Sequence, residues 1–217
     1  MAKNNKRIKE KKPRSKAALR ELNLGYYLIV TDTEKTEKNY FNGLRDNLPE
    51  EYKEKIAIKV ISNVSTDELV DTCLDLIASN PQYSNPWIVL DRDLVKNFDK
   101  IIDRATKKGI NVGWSNPCFE VWLSAYFGEM PNIKDSTEFC DKFKVIFKKN
   151  TKQVYTKGNE NNYKTLIKFG NEEKAIEKAK NRRKYFERLE INKPSKMFPC
   201  TTVDILVEEI RSKTTGV

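Results

Sequence analysis

Apolar runs typical of buried strands alternate with amphipathic helical segments between residues 26 and 123 of this 217-residue chain. Runs of apolar and β-branched residues such as 26–31 and 87–90 are typical of strands covered on both faces. Segments such as 37–48 instead place their apolar side chains at helical spacing. This β-α-β-α-β-α-β order predicts an α/β fold with a parallel four-stranded sheet flanked by helices. The predicted strands are 26–31, 56–61, 87–90 and 110–114, and the predicted helices between them are 37–48, 67–78 and 98–107.

Three parts are predicted along the chain. Residues 1–20 hold nine Lys or Arg, one acidic residue and almost no apolar side chain, which is typical of a disordered basic arm. An α/β core over 21–130 follows, and then a basic helical extension over 131–217 that we expect to pack on the core. Beyond residue 130 only helices are predicted, at 136–149, 162–169, 171–190 and 201–213, with a loop between the first two.

No apolar run approaches the roughly 20 residues of a membrane helix, and the N-terminus has no apolar stretch for a signal peptide. The four cysteines form no CxxC pair, and lone thiols suit a reducing compartment. We therefore expect a cytoplasmic protein without a membrane partner. The chain contains no histidine, so Ser–His and Cys–His hydrolases are excluded. Carboxylates, lysines and a hard metal ion remain available for catalysis.

The charge is divided between an acidic half and two basic segments. Residues 1–20 carry a net charge of +8, residues 21–141 carry −8, and residues 142–188 carry +10. This division suits a protein that holds a polyanion with one part and a metal ion with another. Lysine-rich solvated surfaces would give the same counts, so both interpretations stay open.

Acidic side chains lie where the predicted strands end. Asp32 follows the first strand, Asp91 and Asp93 follow the third, Glu37 lies in the first turn of the next helix, and Glu120 follows the fourth strand. Ligands of open parallel sheets bind at this edge. Crowded carboxylates repel unless a cation lies among them, and oxygen ligands suit Mg²⁺ or Mn²⁺. Each acid could instead be an ordinary turn or cap residue, so the pattern alone names no reaction.

Three blocks of sequence resemble the RloB family, which includes the AbiL-type abortive-infection proteins and is assigned a Toprim-like core. They are 28–41 (LIVTDTEKTEKNYF), 87–93 (WIVLDRD) and 115–122 (SNPCFEVW), with a weaker block at 199–203 (PCTTV). The resemblance implies metal-dependent phosphodiester chemistry. It makes Asp91 and Asp93 metal ligands, with Glu37 or Glu120 as a further ligand or general base. Asp32 stands where the family has its first acid.

The resemblance further implies a Mg²⁺-dependent nuclease that acts on RNA, with tRNA as one candidate, or on single-stranded nucleic acid in bacterial anti-phage defence. Family members often sit beside an ATPase, so an ATPase partner is expected. Two departures keep a second function open. The family's Glu-Gly pair is Asp32-Thr33 here, and a family histidine is replaced by Tyr126. The alternative is a catalytically degenerate subunit of a defence complex that binds nucleic acid or a partner.

Basic side chains lie near the predicted acidic site and along one helix. Lys174, Lys178 and Arg182 follow one another at intervals of four residues, which places them on one helix face. Lysines next to Tyr155 and Tyr163 form a pattern seen where bases stack and phosphates pair, although amphipathic helix design also explains it. The predicted nucleic-acid-binding residues are Lys35, Arg92, Asn116, Lys157, Lys164, Lys174, Lys178, Arg182 and Arg183.

Overall fold

A mostly parallel sheet organises the structure, a computed structural model that describes residues 25–53, 56–93 and 95–214. Within these ranges the sheet has five strands: β1 (Gly25–Thr31), β2 (Ile56–Ile61), β3 (Asn85–Asp91), β4 (Asn111–Asn116) and β5 (Cys200–Thr201). They lie in the order β2-β1-β3-β4-β5, and β1 to β4 are parallel. The predicted α/β class and the four parallel strands are confirmed. The basic arm predicted over 1–20 lies outside the described residues.

The short strand β5 corrects the prediction that only helices follow residue 130. It runs antiparallel to β4, with Thr201 opposite Ser115 and Cys200 opposite Asn116. The Thr201 hydroxyl also donates a hydrogen bond to the Trp114 carbonyl oxygen at 3.0 Å. A strand of two residues has no side-chain period to detect, so the sequence pattern could not reveal it.

Helices cover both faces of the sheet, as predicted. The helices predicted beyond residue 130 form with ends within two residues of the expected positions. The helices are α1 (Thr36–Asp46), α2 (Glu50–Lys53), α3 (Leu69–Ser79), α4 (Phe98–Lys107), α5 (Glu120–Ala125), α6 (Ser136–Thr151), α7 (Asn162–Phe169), α8 (Glu172–Arg188) and α9 (Val203–Thr214). In the described part of the chain, each helix is too short or too polar to span a membrane.

Alternating side chains of the central strands feed two hydrophobic clusters. Tyr27 and Ile29 of β1 lie in the first cluster, which also contains buried residues of α1, α5, α6, α7 and α9. Leu28 and Val30 lie in the second cluster, with buried residues of α3 and α4. Burial of such a side chain contributes about 1.5–3 kcal/mol. Helices from the predicted extension therefore share one core with β1, while the boundary at residue 130 stays a prediction.

A chain of polar side chains crosses the first cluster and joins five helices. The hydroxyls of Tyr40 in α1 and Tyr126 at the end of α5 lie 2.7 Å apart. Tyr126 donates to Glu172 of α8 at 2.8 Å. Arg211 of α9 donates to the same carboxylate and to the Tyr163 hydroxyl of α7, both at 2.6 Å. Because buried polar groups are costly unless they are paired, these bonds fix how the helices meet. Tyr126, which stands where the resemblance implies a histidine, belongs to this network.

Candidate functional site

The predicted acids follow strands that the sheet places side by side. Thr31 at the end of β1 pairs with Val89 of β3, so Asp32 and Asp91 leave the same edge. The strand-end prediction required β1 and β3 to be neighbours, and they are. The loop after β3 is fastened to the segment after β4, because the Asp93 amide donates to the Pro117 carbonyl oxygen at 2.9 Å.

Two adjacent cavities at this edge bring the five acids together. The larger cavity, about 760 Å³, has Asp32, Asp91 and Asp93 in its lining. The smaller cavity, about 210 Å³, has Glu37, Asp91 and Glu120 in its lining. Asp91 borders both cavities. We refer to these five side chains and the two cavities as the acidic pocket.

Hydroxyl groups hold two of the carboxylates from the loops around them. Thr33 donates a short hydrogen bond to Glu37 Oε2. Thr66 donates to Asp32 Oδ2 at 3.1 Å. The other oxygen of Asp32 is buried and has no hydrogen-bond partner among the described residues. A buried anionic oxygen without a partner is costly, so this position favours a bound cation.

Glu120 is held by groups from the loop between α6 and α7. Its carboxylate is buried, accepts a hydrogen bond from the Tyr155 hydroxyl at 3.0 Å, and lies 3.4 Å from Lys157 Nζ. Lys157 also borders both cavities. Asp93 is exposed instead and accepts from the Ser136 hydroxyl at 2.5 Å. The pocket therefore combines buried and solvent-facing carboxylates with lysine side chains.

Burial and mutual repulsion raise the pKa values of Asp32, Glu37 and Asp91. Burial is the largest cause for Glu37, followed by the charges of Asp91 and Asp32, and its pKa is well above the usual range. Burial also raises the pKa of Asp91, helped by the charges of Asp32 and Glu120. The pKa of Asp32 rises to about 6, chiefly through burial. A cation among these groups would relieve both effects.

The oxygen donors of the acidic pocket fit a hard divalent cation held partly by water. Among the described residues, no three of these acids bring ligand oxygens within 4.8 Å of one another. Mg²⁺ keeps several waters and commonly takes only one or two carboxylates. The donor chemistry and the unpartnered oxygen of Asp32 therefore fit Mg²⁺ or Mn²⁺.

Two of the predicted nucleic-acid-binding lysines lie along a groove beside the acidic pocket. Lys35 borders the smaller cavity and also a groove of about 520 Å³ between α1 and α7. Lys164 and Lys38 line the same groove, which we call the α1–α7 groove. Its other lining residues are Glu34, Asn39, Asn42, Gly43, Arg45, Asp46, Asn47, Glu160 and Asn161.

The structure places three other predicted nucleic-acid contacts in hydrogen bonds to the backbone. The Arg92 guanidinium donates to the carbonyl oxygen of Asp93 at 3.0 Å. The Asn116 amide is buried and donates to the Pro194 carbonyl oxygen at 3.0 Å. Arg182 donates to the carbonyl oxygen of residue 130 at 3.3 Å. These contacts hold loops and helix ends in place.

Arg183 forms a mostly buried ion pair, whereas two neighbours on α8 face solvent. Its guanidinium donates to both carboxylate oxygens of Asp204, at 2.5 and 2.7 Å, and to the Thr201 carbonyl oxygen at 2.6 Å. Arg183 therefore connects α8 to α9 and β5, and we do not retain it as a nucleic-acid contact. Lys174 and Lys178 are exposed on α8 and border neither the acidic pocket nor the α1–α7 groove.

Two cysteines next to the acidic pocket were missed by sequence reasoning. The Sγ atoms of Cys118 and Cys140 lie 3.8 Å apart, and with a Glu120 oxygen they form a group whose ligand atoms all lie within 4.8 Å. It is the only such group among the described residues. The cysteines are 22 positions apart, Cys118 in the turn before α5 and Cys140 in α6, so no spacing motif could identify the pair. The group is a possible metal-binding cluster.

Comparison with known proteins identifies the family. No curated protein and no solved structure gives a significant match to this chain. A family model described as RloB-like protein matches residues 27–210. This range includes the three sequence blocks, most of β1 and all of β2 to β5. The match covers most of the chain, and the chain therefore belongs to the RloB-like protein family.

Proposed function

We propose that this protein is a Mg²⁺-dependent nuclease with a Toprim-type core that cuts RNA, tRNA included, or single-stranded nucleic acid in bacterial anti-phage defence. The observation that carries the proposal is the meeting of five carboxylates at the carboxyl edge of a parallel sheet, beside a lysine-lined groove. Membership of the RloB-like family supports the defence role. As part of the same proposal, the nuclease acts in the cytoplasm and an ATPase partner controls it.

Asp91, Asp93, Asp32 and Glu37 would hold the cation in this proposal. Bound Mg²⁺ supplies charge stabilisation at a phosphoryl oxygen and makes a coordinated water more acidic. The raised pKa values of Glu37 and Asp91 favour protonation of these carboxyl groups when no cation is present. Because carboxylate ligands must lose their protons, cation affinity should rise with pH.

The chain's own side chains would orient these acids and balance their charge. Thr33 donates to Glu37 Oε2 and so fixes one oxygen, which leaves the other to hold or accept a proton. Tyr155 fixes Glu120 in the same way at 3.0 Å. Lys157 lies where it can offset the charge of Glu120 and meet an anionic phosphate. A positioned carboxylate and lysine can provide the proton transfer that a histidine would otherwise supply.

The α1–α7 groove is the proposed path of the nucleic acid strand. Lys35 lies on both the groove and the smaller cavity, so a strand in the groove leads to the acids. Lys38 and Lys164 would meet phosphates, while the asparagine amides of the groove offer donors and acceptors to unpaired bases.

Cleavage assays with a matched control test the nuclease proposal. Total RNA, tRNA and single-stranded DNA would be incubated with Mg²⁺ or Mn²⁺ and the wild type, Asp91→Asn or Asp103→Asn. Asp103 is an exposed residue of α4 that lines neither cavity of the acidic pocket, so its variant should behave as wild type. We expect loss of at least about 100-fold in rate for Asp91→Asn, because a cation ligand is removed. Equal rates in the two variants, or no cleavage by the wild type, would defeat the proposal.

A degenerate binding subunit is the second candidate, favoured by Asp32-Thr33 at the position of the family's Glu-Gly pair. Aspartate is one methylene shorter than glutamate, and one oxygen of Asp32 already accepts a hydrogen bond from Thr66. This candidate predicts salt-sensitive RNA binding that does not depend on divalent cations. Calorimetric titration of Mg²⁺ into the metal-free protein separates the two, because only the nuclease needs a specific site.

The salt dependence of RNA binding tests which basic surface carries the strand. If the strand follows the groove, Lys35→Ala with Lys164→Ala should weaken binding. The slope of log affinity against log salt should then fall by about 0.7 for each phosphate that the variant no longer neutralises. The α8 pair, Lys174→Ala with Lys178→Ala, should have little effect, and Lys107, exposed on α4, provides the matched control. A larger change for the α8 pair than for the groove pair would contradict the proposed path.

A further inference from the structure

Two thiols and a carboxylate converge at the border of the acidic pocket, and the nuclease proposal makes no use of the thiols. Cys118 lies two positions ahead of Glu120, the first residue of α5, and Cys140 faces them from α6. All three side chains are buried, and both cysteines are free. Their ligand atoms lie within 4.8 Å of one another.

The distance between the two sulfurs matches a tetrahedral metal site. With Zn–S bonds of about 2.3 Å and a tetrahedral angle, two thiolates on one Zn²⁺ lie about 3.8 Å apart. Cys118 Sγ and Cys140 Sγ lie 3.8 Å apart, whereas a disulfide would need about 2.05 Å. The sulfurs thus stand at the separation of two ligands around one ion.

Charge and ligand softness distinguish this group from the carboxylates beside it. Two thiolates and Glu120 carry three negative charges, a divalent ion leaves one, and Lys157 Nζ at 3.4 Å from Glu120 offsets that one. Thiolate ligands favour Zn²⁺, while carboxylate and water ligands favour Mg²⁺. Glu120 also borders the smaller cavity, which gives an ion a route of entry and a place for a fourth ligand such as water.

We propose that Cys118, Cys140 and Glu120 form a binding site for a thiophilic divalent cation of the Zn²⁺ class, separate from the Mg²⁺ site of the acidic pocket. Because Glu120 belongs to both groups, an ion on the thiolates draws Glu120 away from the other acids. The binding site does not rest on the nuclease proposal, so failure of either one leaves the other testable.

Cobalt substitution tests the site directly, because Co²⁺ bound to thiolates gives a charge-transfer absorption that Co²⁺ bound to carboxylates lacks. Reduced, metal-free full-length protein would be titrated with Co²⁺ and then with Zn²⁺. We expect the absorption to saturate at one equivalent and to be abolished by Zn²⁺ but not by excess Mg²⁺. Cys118→Ser and Cys140→Ser should each remove it, and Cys73→Ser, a buried cysteine of the second cluster, should retain it. Glu120→Gln should weaken Co²⁺ binding by at least about 10-fold while the absorption persists, because both sulfurs remain.

Thiol alkylation of the wild type decides the question even if the serine variants do not fold. Each cysteine's alkylation rate would be followed by peptide mass spectrometry with and without Zn²⁺. With Zn²⁺ at ten times its dissociation constant, Cys118 and Cys140 should react about 10-fold more slowly, while Cys73 and Cys200 keep their rates. Absence of the cobalt absorption in the wild type overturns the proposal. So does equal slowing of all four cysteines, or none, by Zn²⁺.

Discussion

Replacing Asp32 with Asn should stabilise the metal-free protein at neutral pH but not in acid. Asp32 has one buried oxygen without a hydrogen-bond partner among the described residues, and its neighbours are also acidic. The substitution keeps the shape of the side chain and an oxygen that can accept from Thr66. It removes the charge that burial disfavours. The charge of Asp32 would thus lower the free energy of unfolding of the metal-free protein.

The size of the effect follows from the pKa of Asp32. Burial is the main cause that raises this pKa from 3.8 to about 6 in the folded protein. Between these values Asp32 keeps a proton in the folded state that it has released in the unfolded state, so its contribution to stability falls as pH rises through this window and is constant above it. The total fall is about 3 kcal/mol. Asp32→Asn lacks this fall, and it also removes a charge that raises the pKa values of Glu37 and Asp91.

Thermal and urea unfolding in the presence of a chelator, between pH 4 and pH 8, measures the effect. The stability of Asp32→Asn relative to wild type should increase by about 2.5 kcal/mol across this range, which is about 5–10 °C in Tm for a chain of this size. Any constant cost of the new amide cancels in that comparison. Asp103→Asn, at an exposed site on α4, should show no such change. A stability difference that is the same at pH 4 and pH 8 would refute the reasoning, because burial would then not penalise the Asp32 charge.

Two further predictions concern packing of the C-terminal helices. Arg183→Met should lower the free energy of unfolding in urea by about 3–5 kcal/mol, because it leaves the buried Asp204 carboxylate unpaired. Adding Asp204→Leu should recover most of this loss. A double variant as unstable as the single one would contradict this. In Gly43→Ala the new Cβ would lie 2.5 Å from Tyr163 Cβ, and this overlap should lower the free energy of unfolding by about 1–3 kcal/mol. The better helix propensity of alanine should offset about 1 kcal/mol of that loss. Gly158→Ala meets no atom closer than 3.8 Å and should be nearly neutral; equal losses at the two glycines would show that the close approach is unimportant.

Much of the fold could be predicted because its strands and helices have strong periodic patterns. The apolar runs of β1 and β3 and the helical spacing of α6 and α8 each carry several buried side chains, so the pattern survives local exceptions. β5 could not be predicted, because its two residues are held by long-range contacts to β4 rather than by a pattern of their own. The site prediction required β1 and β3 to be neighbours in the sheet, and the strand order could be learned only from the structure.

The acids of the candidate site were identified by their positions after strands, but their surroundings were not. Thr66 and Ser136 lie 34 and 43 residues from the acids to which they donate, so no local motif connects them. The same holds for Cys118 and Cys140, which the absence of a CxxC pair had set aside. Charge pattern also could not reveal that Arg183, next to the basic stripe of α8, pairs with the buried Asp204.

The polar chain through the first cluster makes the position of α1 depend on α9. Glu37 and Tyr40 share the first two turns of α1, and Tyr40 is fastened through Tyr126 and Glu172 to Arg211 of α9. Truncating the chain ahead of Arg211 would leave the Glu172 carboxylate without this guanidinium. It would thereby weaken the hydrogen-bonded contacts that hold α1. The same hydrogen bonds connect α9 to the helix that carries Glu37, although Arg211 follows Glu37 by some 170 residues in the sequence.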